Sequence, residues 1–156
     1  MKIAVFAGSF DPFTLAHQDI VARALPLFDK IIIAVGVNSS KKGLMDFEDR
    51  VAGIKLLFEN NTQVEVQQFT GLTTSFCRTV DARYILRGLR NTTDFDFENA
   101  IAQNNLILAP EIETYFLMAR TGLAHISSTI VRDILHNNGD VSTLVPAAVL
   151  GFIKKG

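Results

Sequence analysis

The sequence predicts an α/β fold: a doubly wound, mainly parallel sheet with helices on both faces, in one domain spanning residues 1–156. Two observations predict it. Short, almost wholly apolar runs alternate at least four times with segments of helical periodicity. The chemistry-bearing residues cluster just after those apolar runs, at the carboxyl edge where such sheets bind ligands. Composition agrees, since the chain is 48% hydrophobic and 20% charged, which is ordinary for a globular protein with a real core.

The elements follow in order. "KIAVFAG" (2–8) is an apolar run closed by glycine, the pattern of a buried parallel strand. "HQDIVARALPLF" (17–28) spaces Ile20, Val21, Ala24, Leu25 and Phe28 as a helix, with Pro26 spoiling its last turn. "KIIIAVGV" (30–37) is apolar enough to be covered on both faces. A helix is predicted over 47–59, with Val51, Ile54, Leu57 and Phe58 inward and Asp46 as N-cap. A strand at 63–69, a short helix at 73–80 and a third apolar strand at 83–88 come next. A long helix at 94–109 ends before Pro110, and a strand follows at 113–119. Helices at 127–138, stopped by Gly139, and at 146–155, with lysines in its last turn, complete the chain.

Net charge is −1. That argues against broad nucleic-acid binding, which needs a basic face. No run approaches the ~20 apolar residues of a membrane span, and the amino terminus does not read as a signal peptide. The single Cys77 suits a reducing cytoplasm.

Four separate segments should converge on one edge. Ser9 and His17 follow the first strand, and Lys41 and Lys42 the second. Arg87 and Arg90 follow the third, and "HISST" (125–129) follows the strand at 113–119. All carry phosphate-binding groups. "GSFDPFTLAH" lacks the Gly-Lys-Ser/Thr of a P-loop and the three glycines of a dinucleotide fingerprint. It reads either as a plain strand–turn–helix joint or as an anion site made by the Phe10 amide, a helix N-terminus and His17. Ser127, Ser128 and Thr129 can cap a helix, cradle an anion, or do both. Arg87 ends an apolar strand, so its guanidinium needs an anionic partner from protein or ligand. The acids of "DFDFE" (94–98) read as a metal site or, better, as the polar face of a helix start, and Glu98 is the one expected to face a ligand. No metal-ligand spacing and no Ser–His–Asp arrangement is legible, and Cys77 reads as a core residue.

"TLAH" (14–17) and "ISSTIVR" (126–132) resemble the two signatures of the nucleotidyltransferase superfamily. With "NSSKK", "LRGLRNTTDFDFE" and "ETYFLM" in order between them, the chain resembles the bacterial phosphopantetheine adenylyltransferases from end to end. The resemblance implies transfer of the adenylyl group of ATP to 4′-phosphopantetheine, with Mg²⁺ required, in a cytoplasmic homohexamer that needs neither nucleic acid nor membrane. It implies His17, Lys41 and Arg90 as catalytic residues. It implies Ser9, Lys41, Thr73 and Arg87 as contacts of phosphopantetheine. For ATP it implies Ser9, Phe10 and His17, then Gly88, Leu89, Arg90 and Glu98, and finally Leu123, Ala124, His125, Ile126, Ser127, Ser128 and Thr129. A 4′-phosphate is already an anionic nucleophile, so the lack of a legible general base is expected. Ala16 departs from the pattern, standing where the first signature has glycine. Another small-molecule nucleotidyltransferase, or a non-catalytic nucleotide-binding relative, remains the alternative.

Overall fold

The computed structural model describes residues 1–154. Five strands form one sheet in the order β3-β2-β1-β4-β5, and every neighbouring pair is parallel. The strands are β1 (Ile3–Gly8), β2 (Lys30–Gly36), β3 (Val64–Phe69), β4 (Tyr84–Leu89) and β5 (Glu113–Met118). The helices are α1 (Leu15–Ala24), α2 (Phe47–Leu57), α3 (Thr73–Thr79), α4 (Thr92–Leu108), α5 (Ser128–His136) and α6 (Ala147–Leu150).

The alternation of side chains along the strands separates two cores. From β1 and β2, Ala4, Phe6, Ile31, Ile33 and Val35 pack with Ile20, Ile54, Val131 and Val149 of α1, α2, α5 and α6. The opposite residues Val5, Ala7, Ile32 and Ala34 pack with Cys77 of α3, and with Ala109 and Ile112 around the end of α4. Both faces of the central strands are therefore dry, which is why these strands read as continuous apolar runs rather than alternating ones. The chain leaves β2 and β3 on one side of β1 and returns to β4 and β5 on the other. The order reverses between β1 and β4, and in such sheets the crevice beyond that point is where ligands bind.

Several boundaries move for physical reasons. The first helix begins at Leu15 rather than 17, because Thr14 caps it, and a 3₁₀ turn at Leu25–Leu27 takes up Pro26. The long helix begins at Thr92, since the Asn91 side chain accepts from the Asp94 N–H. Asp46 occupies the N-cap position of α2 but makes no capping bond with its side chain, which faces Lys154 at 3.4 Å instead. α5 is shorter than expected: Asn138 (φ 59°) takes the left-handed turn after it, and the Gly139 N–H bonds back to the Ile134 carbonyl. The last helix spans only Ala147–Leu150, so Lys154 lies beyond it, and Lys155 lies outside the described residues. Among the described residues no helix is long and apolar enough to cross a membrane.

Ile33 is fully buried in the larger core. Ile33→Ala should cost about 2–5 kcal/mol of stability by lost burial and the cavity left behind. Urea denaturation of both proteins measures this, and a loss well under ~1 kcal/mol would mean the core repacks around the site.

Candidate active site

The turn after β1 sets the site. Phe10 sits in the left-handed region (φ 46°), which costs a non-glycine residue about 1–2 kcal/mol. Its ring is buried and packs on Phe6 and Phe13, which offsets that cost. His17 stands against the same three rings, with centroids 5.1 Å from Phe10, 5.2 Å from Phe13 and 6.0 Å from Phe6. A reciprocal capping box fixes the imidazole. The Thr14 backbone N–H donates to His17 Nδ1 at 2.9 Å, and the Thr14 hydroxyl lies 3.2 Å from the same nitrogen. An Nδ1 that accepts from a main-chain N–H carries no proton, so Nε2 is the protonated nitrogen of a neutral ring. Burial, and then the nearby charges of Arg87 and Arg90, push the imidazole pKa down to about 3.

Two cavities open at the carboxyl ends of β1 and β4. The larger, about 270 Å³, is bounded by Ser9, Phe10, Ala16 and His17 on one side. Gly88, Leu89, Arg90, Glu98, Ile126, Ser127 and Ser128 bound it on the others. The smaller, about 210 Å³, includes Phe69, Thr73, Ile101 and Asn105. Arg87 and Glu98 stand on the walls of both. Arg87 finds its anionic partner within the protein. Its Nη2 and Nε bond the two Glu98 oxygens at 2.6 and 3.0 Å, and its Nη1 bonds the Ala7 carbonyl. Three of its five N–H donors are thus placed. Arg90 forms a similar fork on Asp94 at 3.0 and 3.2 Å, and that hydrogen bonding holds the Asp94 carboxyl below its usual pKa.

The hydroxyls at the start of α5 all have protein partners. Ser127 caps the helix by accepting from the Ile130 N–H, Ser128 donates to the Pro12 carbonyl, and Thr129 accepts from Arg132. The capping reading therefore holds for Ser127 alone, and Ser127 and Ser128 also lie on the larger cavity. Lys41 is exposed on the loop after β2 and lines neither cavity; nor do Leu123, Ala124, His125 and Thr129. Among the described residues no cluster of three His, Cys, Asp or Glu side chains could hold a metal ion.

Residues 5–134 match the cytidylyltransferase-like family. A phosphopantetheine adenylyltransferase of Christiangramia forsetii is 50% identical over 96% of this chain and 98% of its own length. That of Flavobacterium psychrophilum is 52% identical with the same coverage, and that of Coxiella burnetii is 46% identical over 98% and 96%. The chain belongs to the phosphopantetheine adenylyltransferase family. A crystal structure of a candidate nicotinate-nucleotide adenylyltransferase from Vibrio parahaemolyticus has the same fold, with a TM-score of 0.70 over 99% of this chain and 100% of that one. It is only 18% identical, so it speaks to fold alone.

Several residues that shape the site or its surroundings carry no clear signal in the sequence. Thr14 is fully buried and orients His17, yet "TLAH" reads as a motif of which only the histidine looks chemical. Asp94 reads from sequence as one of the acids that favour a helix start, but it engages Arg90 through both oxygens. Asp11 and Arg50 are buried polar residues that no local pattern marks, because their segments meet only in the folded chain.

The neutral imidazole has a measurable consequence. With a folded pKa of about 3 against 6.5 for a free histidine, the unfolded chain binds the extra proton between those values. The contribution of His17 is therefore fully present above pH 6.5 and is lost as pH falls towards 3. Urea midpoints at neutral pH and near pH 4.5 should fall further for the native protein than for His17→Gln. Equal falls would show that the imidazole titrates normally.

Proposed function

We propose that the chain transfers the adenylyl group of ATP to 4′-phosphopantetheine, giving dephospho-coenzyme A and pyrophosphate, and does so as one nucleotidyltransferase domain. One observation carries the chemistry: His17, locked neutral with Nε2 protonated, shares a cavity wall with two guanidinium groups at the β1–β4 reversal. The names of the relatives supply the acceptor.

In this reading a phosphate oxygen of the acceptor attacks the α-phosphorus of ATP. The new P–O bond forms as the bond to the β-phosphate bridge breaks, and its electron pair leaves with pyrophosphate. No general base is needed for a nucleophile that is already an anion, so positioning and charge stabilisation do the work. His17 donates Nε2–H to the α-phosphoryl oxygens as charge builds there. Arg90, Ser9, Phe10, Gly88, Leu89 and the start of α5 hold ATP in the larger cavity. Thr73 and the remaining donors of Arg87 receive the acceptor in the smaller one, and Lys41 swings in from its exposed loop to the acceptor phosphate. Glu98 contacts ATP across the shared wall. In this reading magnesium enters with ATP as part of the substrate; the acids on the larger cavity, Asp94 and Glu98, are paired with arginines.

We also propose a cytoplasmic homohexamer. Exposed apolar side chains at the β5 edge of the sheet support self-association: Phe95, Phe97 and Ile107 of α4 and Tyr115 and Met118 of β5.

The test is mass spectrometry of products after mixing the protein with MgATP and phosphopantetheine. Dephospho-coenzyme A is the expected product. Its absence, with a product from another phosphorylated acceptor or with ATP bound and unchanged, would overturn the assignment. In the same assay His17→Ala should lower kcat about 10²–10³-fold, the worth of one such donor, with ATP affinity nearly intact. Near-normal turnover would remove His17 from the mechanism.

Ala16 lines the larger cavity beside His17, in the first turn of α1. A methyl group crowding a packed site costs ~1–3 kcal/mol, whereas alanine favours the helix over glycine. Ala16→Gly should therefore raise kcat/KM for ATP while lowering the melting temperature slightly. Steady-state kinetics decide, and no gain with ATP would mean that the nucleotide does not pack on this residue.

A further inference from the structure

A buried charge cluster lies beneath the turn after β1 and touches neither cavity. The Asp11 carboxylate accepts from the Leu44 and Met45 backbone N–H groups, both at 2.8 Å. Arg50 of α2 lies 3.4 Å from Asp11, and both side chains are almost wholly buried, with 4% and 7% exposure. Arg50 donates to the Met45 carbonyl through Nε and to the Ser9 carbonyl through Nη1, each at 3.0 Å. From the other side, Arg132 of α5 donates to the Asp11 carbonyl at 2.9 Å. Four segments meet here: the 9–12 turn, the 44–45 backbone, α2 and α5.

Gly43 closes the cluster. A Cβ at this position would fall on Arg50 Nη2 and Asp11 Oδ2, so only glycine lets the chain pass this close. The two residues before it are Lys41 and Lys42, exposed on the loop that the cluster holds down. Removing one member of a buried ion pair leaves the other charge uncompensated, which makes such a cluster a stiff tie.

We propose that Asp11, Arg50 and Arg132 are positioning residues that latch the Lys41–Lys42 loop to the Ser9–Phe10 turn. The latch fixes the distance between the cations of the loop and the cavity wall formed by the turn. It bears on catalysis through the function proposed above, in which Lys41 meets the acceptor phosphate. Its geometry stands apart from that function, since Asp11, Arg50 and Arg132 line neither cavity.

The experiment pairs amide hydrogen exchange with kinetics on the full chain. In Asp11→Asn, the Leu44 and Met45 amides should exchange at least ~10-fold faster, while β2 amides keep their native protection. The acceptor KM should rise about tenfold, with the ATP dissociation constant changed by less than about threefold (tenfold corresponding to 1.4 kcal/mol). Arg50→Lys keeps the charge but cannot serve two carbonyls and a carboxylate together. It should give the same pattern at smaller amplitude, and it decides the matter if Asp11→Asn does not fold. Native exchange at Leu44 and Met45 in either folded variant overturns the latch. A loosened loop with an unchanged acceptor KM overturns its role in positioning. If the native protein transfers nothing to phosphopantetheine, the proposed function fails, and the exchange result still decides whether the latch exists.

Discussion

β1 has a parallel neighbour on each edge and a packed core on each face. Its residues Ala4 to Ala7 are all buried, alternating between the two cores. A strand in that position can carry no polar side chain along its length without an internal partner. Polarity first becomes possible where the chain escapes the sheet at Gly8, and there it begins at once: Ser9, Asp11, Thr14 and His17. In β4, Ile85 and Leu86 are buried, and Arg87, still within the strand, is the first charged side chain and has its partners inside the protein, Glu98 and the Ala7 carbonyl. The reversal of strand order sets these two exits side by side, so the most hydrophobic part of the molecule dictates where its charges gather.

What the exits then hold is a balanced set of charges rather than a bare positive pocket. Each arginine at the β4 end is forked onto an acid of α4, Arg87 on Glu98 and Arg90 on Asp94. Such pairing keeps the guanidinium planes oriented before any ligand arrives, which lowers the ordering cost of binding. The histidine follows the same economy. Seated among three phenylalanine rings and anchored through Nδ1, it offers a donor of fixed direction without carrying a charge. For a reaction that moves an adenylyl group between two anions, preset direction matters more than net charge.

The strands were legible because burial on both faces leaves a run of apolar residues that few other environments produce. "KIIIAVGV" is such a run, and β2 begins with it and ends one residue inside it. Helix ends were less legible, because they depend on single side chains reaching particular amides. Thr14 and Asn91 each start a helix before the apolar periodicity begins. Within the site, Ser9, His17, Arg87, Arg90 and Glu98 could be picked out from their places after strands, and the folded chain does bring them around adjoining cavities. Asp11 and Arg50 could not. An aspartate before proline in a turn and an arginine in an amphipathic helix are ordinary alone, and only their contact gives them meaning.

α3 is a helix of seven residues with two different sides. Thr73, at its start, faces the smaller cavity, while Cys77, one turn on, is fully enclosed in the core beneath the sheet. Burial pushes that thiol up to about 11, so it is neither ionised nor reachable in the closed molecule. A thiol reagent can reach it only while α3 is lifted from the sheet. The labelling rate of this one sulfur is therefore a built-in clock for the opening of the cavity wall. A ligand that braces Thr73 should slow that clock before any product is made.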